Sequence, residues 1–418
     1  MSPTYSAVFR SPRVAAVLIL GFSSGLPLAL TGSTLQAWLS VSGIEVATIA
    51  WFSWVGMPYA LKFIWSPLMD RYVPPLLGRR RGWMLVSQLA LVLGIFAMAY
   101  FPPGDSIWML GCAALWVAFA SASQDIVIDA YRTDVLRPEE RGMGAAVGVF
   151  GYRIAMLVSG AAALILADQI GWRTTYFVMA ALMGVGMLTA WFAPEPEAPS
   201  EVPKSLSDAI FHPLKDLFTR RDALWLLALV MLYKFGDALA GTLTTAFLIR
   251  GVGFTPTDVG VVNKGLGLAA LLFGALAGGT LLARMSLYRA MLVFGVLQAV
   301  SNLSFSWLAL AGKSYPLLVF AVGFENLASG MGTAAFVAFA MALCNHSFSA
   351  TQYALLSAIA SLGRILFGPA AGWMVQGLGW DGFFVLTFFA ALPGLALVWW
   401  MRATIDAIGQ NAMRPAQT

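Results

Sequence analysis

The chain has 418 residues, 59% of them apolar and only 11% charged, with a formal net charge of +5. A soluble domain carries about 25% charged residues, and no water-soluble fold has interior enough to hide this much apolar side chain. Twelve spans of about 21 residues would account for about 60% of the sequence. A secreted disulfide scaffold, a disordered chain and a nucleic-acid binder are excluded at this step, and a soluble enzyme nearly so. The basic residues sit in short connections between apolar runs, where membrane orientation puts them. Cys112 and Cys344 are far apart, which speaks against a disulfide framework and a cysteine-rich metal site.

In chain order, the first apolar run begins near Arg13. It is too long for the core of a signal peptide and has no small-residue cleavage site, so it reads as a first span. Runs of span length fall at 14–40, 46–69, 83–101, 106–131, 142–166, 173–193, 223–248, 258–283, 289–311, 315–343, 351–376 and 381–401. The expected fold is all-α and integral to the membrane: twelve transmembrane helices in two pseudo-symmetric six-helix bundles. The bundles take residues 1–193 and 223–402. Between them lies a Pro-, Ser- and charge-rich linker, 194–222, amphipathic from Leu206 to Phe218; a short polar tail, 403–418, follows. With both termini placed in the cytoplasm, 17 Lys and Arg lie on that side and three, Arg173, Arg250 and Lys313, on the other. That asymmetry predicts an N-in, C-in topology.

The halves look related. Spans five and eleven carry GYRIAMLVSG and GRILFGPAAG, with Arg153 and Arg364 at matching depth and 211 residues apart. Repetition at half length is the mark of a two-bundle transporter with its site between the repeats. Chance similarity between Gly- and Leu-rich helices is the plainer alternative.

Nine charged residues fall within spans: Lys62, Asp125, Asp129, Arg153, Lys234, Asp237, Lys264, Glu325 and Arg364. Each costs roughly 2.5–3.5 kcal/mol to insert, so such residues face a wet cavity or pair with one another. Asp125 and Asp129, at i and i+4 in ASASQDIVIDAYRTD, share one helix face about 6 Å apart. Two carboxylates this close in a low dielectric resist ionising together, which suits a reversible proton carrier. The plainer reading is an ion pair with Lys62 or Arg153, and for Asp129 an anchor for a loop arginine. Lys234 and Asp237, at i and i+3, can neutralise each other. Glu325, beside Asn326, has no base on its own helix and is a better proton candidate. Arg153 and Arg364 suit a carboxylate substrate or simply brace the bundle, each pairing with an acid of its own half. Lys264 is placed to snorkel outward. His212 and His346 lie in separate connections and offer no metal site, and GxxxxGK[ST] is absent. No cofactor or metal is expected.

The loop after span two reads SPLMDRYVPPLLGRRRGW. Asp70 closes a helix, where the dipole disfavours a carboxylate, and the arginines Arg71, Arg79, Arg80 and Arg81 can supply its partner. This loop resembles the signature loop of the major facilitator superfamily, which implies a cytoplasmic gate latch. The second half keeps Arg284 and Arg289 but no acid. Four longer stretches, GFSSGLPLALTGSTLQAWL, FIWSPLMDRYVPPLLGRRRGW, ASQDIVIDAYRTDVLRPEERG and GYRIAMLVSG, together resemble the AmpG-type muropeptide permease family of Gram-negative bacteria. The resemblance covers nearly all of the first half and thins in the second. It implies a multi-pass inner-membrane protein that imports anhydro-muropeptides (GlcNAc–anhydroMurNAc with or without stem peptide) together with protons, for cell-wall recycling and, in some species, β-lactamase induction. Some relatives in that family carry extra spans; the sequence here ends at Thr418, so these are expected to be dispensable.

Spans one, four, seven and ten line the cavity in this fold class. Here they carry Gln36, Gln124, Asp125, Lys234, Asp237, Glu325 and Asn326 among many Ser and Thr. Proton coupling is thus expected at Asp125, Asp129, Asp237 and Glu325, and substrate binding at Gln36, Gln124, Arg153, Lys234, Asn326 and Arg364. The leading reading is a monomeric proton–muropeptide symporter. The alternatives are a permease for another anionic solute, such as a CoA ester, and a receptor that binds without translocating. The Asp70 latch argues against the receptor.

Overall fold

A computed structural model describes residues 11–75, 77–137, 140–194, 218–219, 222–344 and 349–413. The described residues are helical throughout, joined by short turns. Ten helices among them are long and apolar enough to cross a membrane. The differences from the hydropathy pattern have local causes. Residues 46–71 form a relay of short pieces, Val46–Trp51, Phe52–Gly56, Met57–Leu61, Lys62–Ile64 and Ser66–Arg71. Pro58 and Pro67 open two of these pieces, where a missing N–H costs least, and no long helix runs through them. The last two apolar runs, within Ser349–Trp400, are two helices that meet at a kink where Gly379 takes φ 73°. Only glycine adopts that conformation without a Cβ penalty.

The linker 194–222, with its amphipathic stretch, lies almost wholly outside the described residues. Residues 402–413, expected as part of a polar tail, form a helix. Its isoleucines 405 and 408 fall on one face, and Ile405 is fully buried in a cluster with Leu287, Met291 and Met401.

Contacts group the chain into two compact units. The first holds Met1–Ile44, Val55–Lys204 and Thr255–Gly260; the second holds Glu45–Trp54, Ser205–Phe254 and Val261–Thr418. Each unit is held by glycine-mediated helix packing. In the first, a Cβ on Gly21 would run into the backbone carbonyl of Gly148, so helices Pro12–Thr31 and Arg141–Leu157 touch backbone to backbone. In the second, Gly274 abuts the carbonyl of Leu327, which seats Gly267–Leu282 against Tyr315–Leu343. Close approach at small residues is how helices gain dispersion energy where lipid is as apolar as leucine. Buried tyrosines satisfy their hydroxyls on backbone: Tyr176 donates to Leu30 O at 2.8 Å and Tyr233 to Met291 O at 3.1 Å. Large apolar side chains such as Trp108, Leu188, Phe192, Leu276 and Leu310 lie outside, as a lipid-facing surface requires.

Candidate functional site

The first unit contains a cavity of about 240 Å³ between helices Pro12–Thr31, Ile107–Val135 and Arg141–Leu157. The sequence places its chemistry by helical spacing. Gly21 and Ser24 come from the first helix; Asp125, Asp129 and Arg132 from the second; Gly148, Tyr152 and Arg153 from the third. The glycines keep the helices close enough for short side chains to meet. The Ser24 hydroxyl donates to Asp125 Oδ1, and Lys62 is the opposite charge that acts on Asp125. Asp129 takes Arg132 at 3.0 Å, one turn along the same helix, and is largely exposed. The two carboxylates therefore share a face and a cavity but have different neighbours: Asp125 has a hydroxyl and Asp129 a guanidinium.

Behind Asp125 is a fully buried amide layer. Gln124 donates to Ser23 Oγ at 2.8 Å and Gln88 donates to the same oxygen at 3.3 Å. The carbonyl oxygens of both glutamines are buried with no protein donor. Tyr59 contributes a buried hydroxyl from the broken 46–71 segment and is an electrostatic neighbour of Asp125.

The second unit has its own polar cluster. The helix of span seven breaks at Lys234, which caps Phe235–Ala246 and puts Asp237 in that helix's first turn, where the dipole favours a carboxylate. Lys234 Nζ lies 3.3 Å from Asp237 Oδ2 and 3.1 Å from Thr333 Oγ1. Ser329 donates to Asp237 Oδ2 at 3.1 Å. Asn326 donates to Glu325 Oε2 at 2.7 Å. Lys264, expected to snorkel outward, instead interacts with Glu325 from a π-helical segment, Val259–Leu266. No sequence signal beyond the flanking glycine of VVNKGLG marks it.

Among the described residues the two arginines do not pair with acids of their own unit, contrary to the sequence expectation. Arg153 lines the Asp125 cavity and its guanidinium lies 3.6 Å from Met156 Sδ. Arg364 is exposed on the helix that precedes the Gly379 kink and makes no ion pair among those residues. Gln36 is half-buried on Ser33–Val41, outside the lining of the Asp125 cavity.

The side chain of Asp70 lies outside the described residues, so the acid of the expected latch is not placed. Its arginines are engaged within their own unit. Arg80 holds Asp134 at 2.8 Å, and both side chains are mostly buried. Arg81 donates to the carbonyls of Ala190 and Trp191, at the C-terminal end of Trp172–Phe192, where free carbonyls and the dipole favour a cation. Arg71 is exposed and Arg79 half-buried. These arginines tie the ends of the third, fourth and sixth spans together.

Residues 15–325 match the Major Facilitator Superfamily model. Among curated proteins, the anhydromuropeptide permease of Escherichia coli K12 is 53% identical over 407 residues, covering 97% of this chain and 83% of that protein. A Rickettsia felis transporter designated AmpG 4 is 35% identical, over 96% of this chain and 99% of that one. Among solved structures, a bacterial homologue of the human lysosomal transporter Spinster superposes with a TM-score of 0.75 at 14% identity, covering all of both chains. The matched relatives are permeases and transporters, and ten apolar helices mark a multi-pass protein of the inner membrane. The chain thus belongs to the Major Facilitator Superfamily and, within it, to the AmpG-type muropeptide permeases.

Proposed function

We propose that the protein imports anhydro-muropeptides, GlcNAc–anhydroMurNAc with or without stem peptide, from periplasm to cytoplasm by proton-coupled alternating access. The observation that carries this reading is 53% identity, across 97% of the chain, to a protein named as an anhydromuropeptide permease. The chemistry of the first unit supports it. A sugar–peptide with carboxylates needs hydroxyl and amide partners together with cations. Ser24, Tyr152, Arg132 and Arg153 supply hydroxyls and guanidinium groups around one cavity. Asp125, deep among them and held by Ser24, is the proton carrier in this reading. Asp129, already neutralised by Arg132, is a weaker carrier. In the second unit, Lys234 and Asn326 are substrate partners beside Asp237 and Glu325; Gln36, Gln124 and Arg364 complete the set. The arginines after span two, with Asp70, act as the cytoplasmic latch.

The test is uptake of radiolabelled GlcNAc–anhydroMurNAc into proteoliposomes of the purified carrier. Accumulation above equilibrium when the outside is acidic, abolished by a protonophore, is expected. Uptake that only equilibrates, whatever the gradient, removes proton coupling; no uptake at all removes the cargo.

The same proposal includes twelve spans with both termini in the cytoplasm. Single cysteines placed at Gly104 and Lys313 should react with an impermeant maleimide added to intact spheroplasts. One at Gly78 should react only after lysis. Labelling at Gly78 from outside contradicts the orientation.

A further inference from the structure

The cavity of the first unit has two arginines in different states. Arg132 is neutralised by Asp129, at 3.0 Å on its own helix. Arg153 has no acid partner among the described residues. Its guanidinium meets the thioether of Met156 at 3.6 Å, one turn along the same helix. A guanidinium presents five N–H donors in a planar fork, and a thioether sulfur is a weak acceptor for one of them. Arg153 is half-buried in the cavity wall, where an uncompensated charge is costly. Tyr152, the residue before it, lines the same cavity, and its hydroxyl makes no hydrogen bond among the described residues. The Ser24 hydroxyl, by contrast, has its proton committed to Asp125.

A free guanidinium beside a free phenol fits an anion with two planar oxygens. A carboxylate accepts two parallel N–H bonds from arginine and keeps lone pairs for a hydroxyl donor. Size restricts what else can enter. The cavity holds about 240 Å³, below the ~300–1,000 Å³ of pockets that enclose a drug-sized ligand whole. It admits one end of a large solute and not a disaccharide. Both forms of the cargo proposed above have an acidic end. The lactyl carboxylate is free when the stem peptide is absent, and the peptide brings carboxylates of its own when it is present. Arg364, the counterpart of Arg153 in the sequence repeat, belongs to the second unit and lies outside this cavity.

We propose that Arg153 and Tyr152 form a carboxylate subsite. The guanidinium takes a free acid of the cargo through two parallel hydrogen bonds, the phenol donates to the same group, and the sugars extend beyond the cavity. The acid, not the sugar, is what this wall reads, so Arg153 sets the preference for acids over their esters and amides. The identity of the cargo rests on the muropeptide reading above; the preference for a carboxylate does not.

The experiment measures binding of GlcNAc–anhydroMurNAc and of its lactyl methyl ester to the full-length protein in nanodiscs, by isothermal titration calorimetry. The ester keeps the sugars and removes the charge. The acid is expected to bind about tenfold more tightly than the ester, the scale of one hydrogen bond to a charged group. Arg153→Gln should erase that preference and keep the ester's affinity, which also reports a folded protein. Arg153→Lys keeps the charge and loses the fork, so the preference should shrink without vanishing; this variant decides the matter if Arg153→Gln does not fold. Equal binding of acid and ester by the native protein overturns the subsite. So does an acid preference that survives undiminished in either folded variant. If the native protein binds neither form, the cargo reading fails, and a second measurement decides the subsite. Phenylglyoxal modification of Arg153, read by mass spectrometry, should be suppressed by excess lactate and not by lactamide; equal labelling in the two overturns the proposal.

Discussion

Asp125→Asn is expected to abolish accumulation against a gradient while leaving exchange of substrate across the membrane intact. Asparagine keeps the shape of the side chain and can still accept from Ser24, so the helices around the cavity stay in register. What disappears is a group that changes charge. The residue sits where an unpaired charge is costly, with Lys62 as its opposing charge and Ser24 as its hydrogen-bond donor, so its ionisation responds to whatever enters the cavity. Asp129→Asn should be far milder, because its partner Arg132 is on the same helix and both are solvent-accessible, where an ion pair is worth at most about 1 kcal/mol. The readout is uptake with and without an imposed pH gradient, with counterflow as the control. Normal accumulation by Asp125→Asn would make this residue structural and move the carrier role to Glu325.

Gly21→Leu is expected to prevent assembly of the first unit. The first atom of any side chain at Gly21 meets the Gly148 carbonyl, which is backbone and cannot rotate away. Over-packing a core typically costs about 1–3 kcal/mol when neighbouring side chains can adjust; here two helices must part along their length, so the cost exceeds that range. Separation would also pull Ser24 from Asp125 and open the cavity. The control is Gly184→Leu, on Trp172–Phe192, where an added Cβ meets nothing within 4 Å. Size-exclusion profiles and thermal unfolding in detergent should show loss of monodisperse protein for the first substitution and retention for the second. Equal behaviour of the two would mean that the close seat at Gly21 is not what joins these helices.

Ten apolar helices are legible in the sequence because burial in lipid leaves a strong compositional trace. Lys234 and Asp237 were legible as a pair because i, i+3 spacing is local. Contacts across helices were not. Ser24 and Asp125 are 101 residues apart, and one sequence holds no record of which faces of two apolar helices meet. The same gap explains the arginines. Arg153 and Arg364 fall at matching positions of the sequence repeat, but position along a helix does not fix rotation, and neither pairs with an acid of its unit among the described residues. Lys264 was misjudged for a different reason. Its place only a few residues into an apolar run suggested an outward reach, and a π-helical backbone is not legible in a hydropathy pattern. The broken 46–71 segment hid Tyr59 in the same manner, since hydropathy alone reads a series of short turns as one span.

The π-helical segment Val259–Leu266 has a bearing on how such a carrier changes over generations. In an ordinary helix, one inserted residue turns everything beyond it by about 100°, which would swing Gly274 off its seat and separate two helices. A π turn absorbs an extra residue where it occurs and returns the chain to its former rotation. Gain or loss of one residue at 259–266 therefore re-aims a single cation while the scaffold downstream keeps its register. A one-residue change in length confined to this stretch would alter the bearing of Lys264 without rebuilding the helix beyond it.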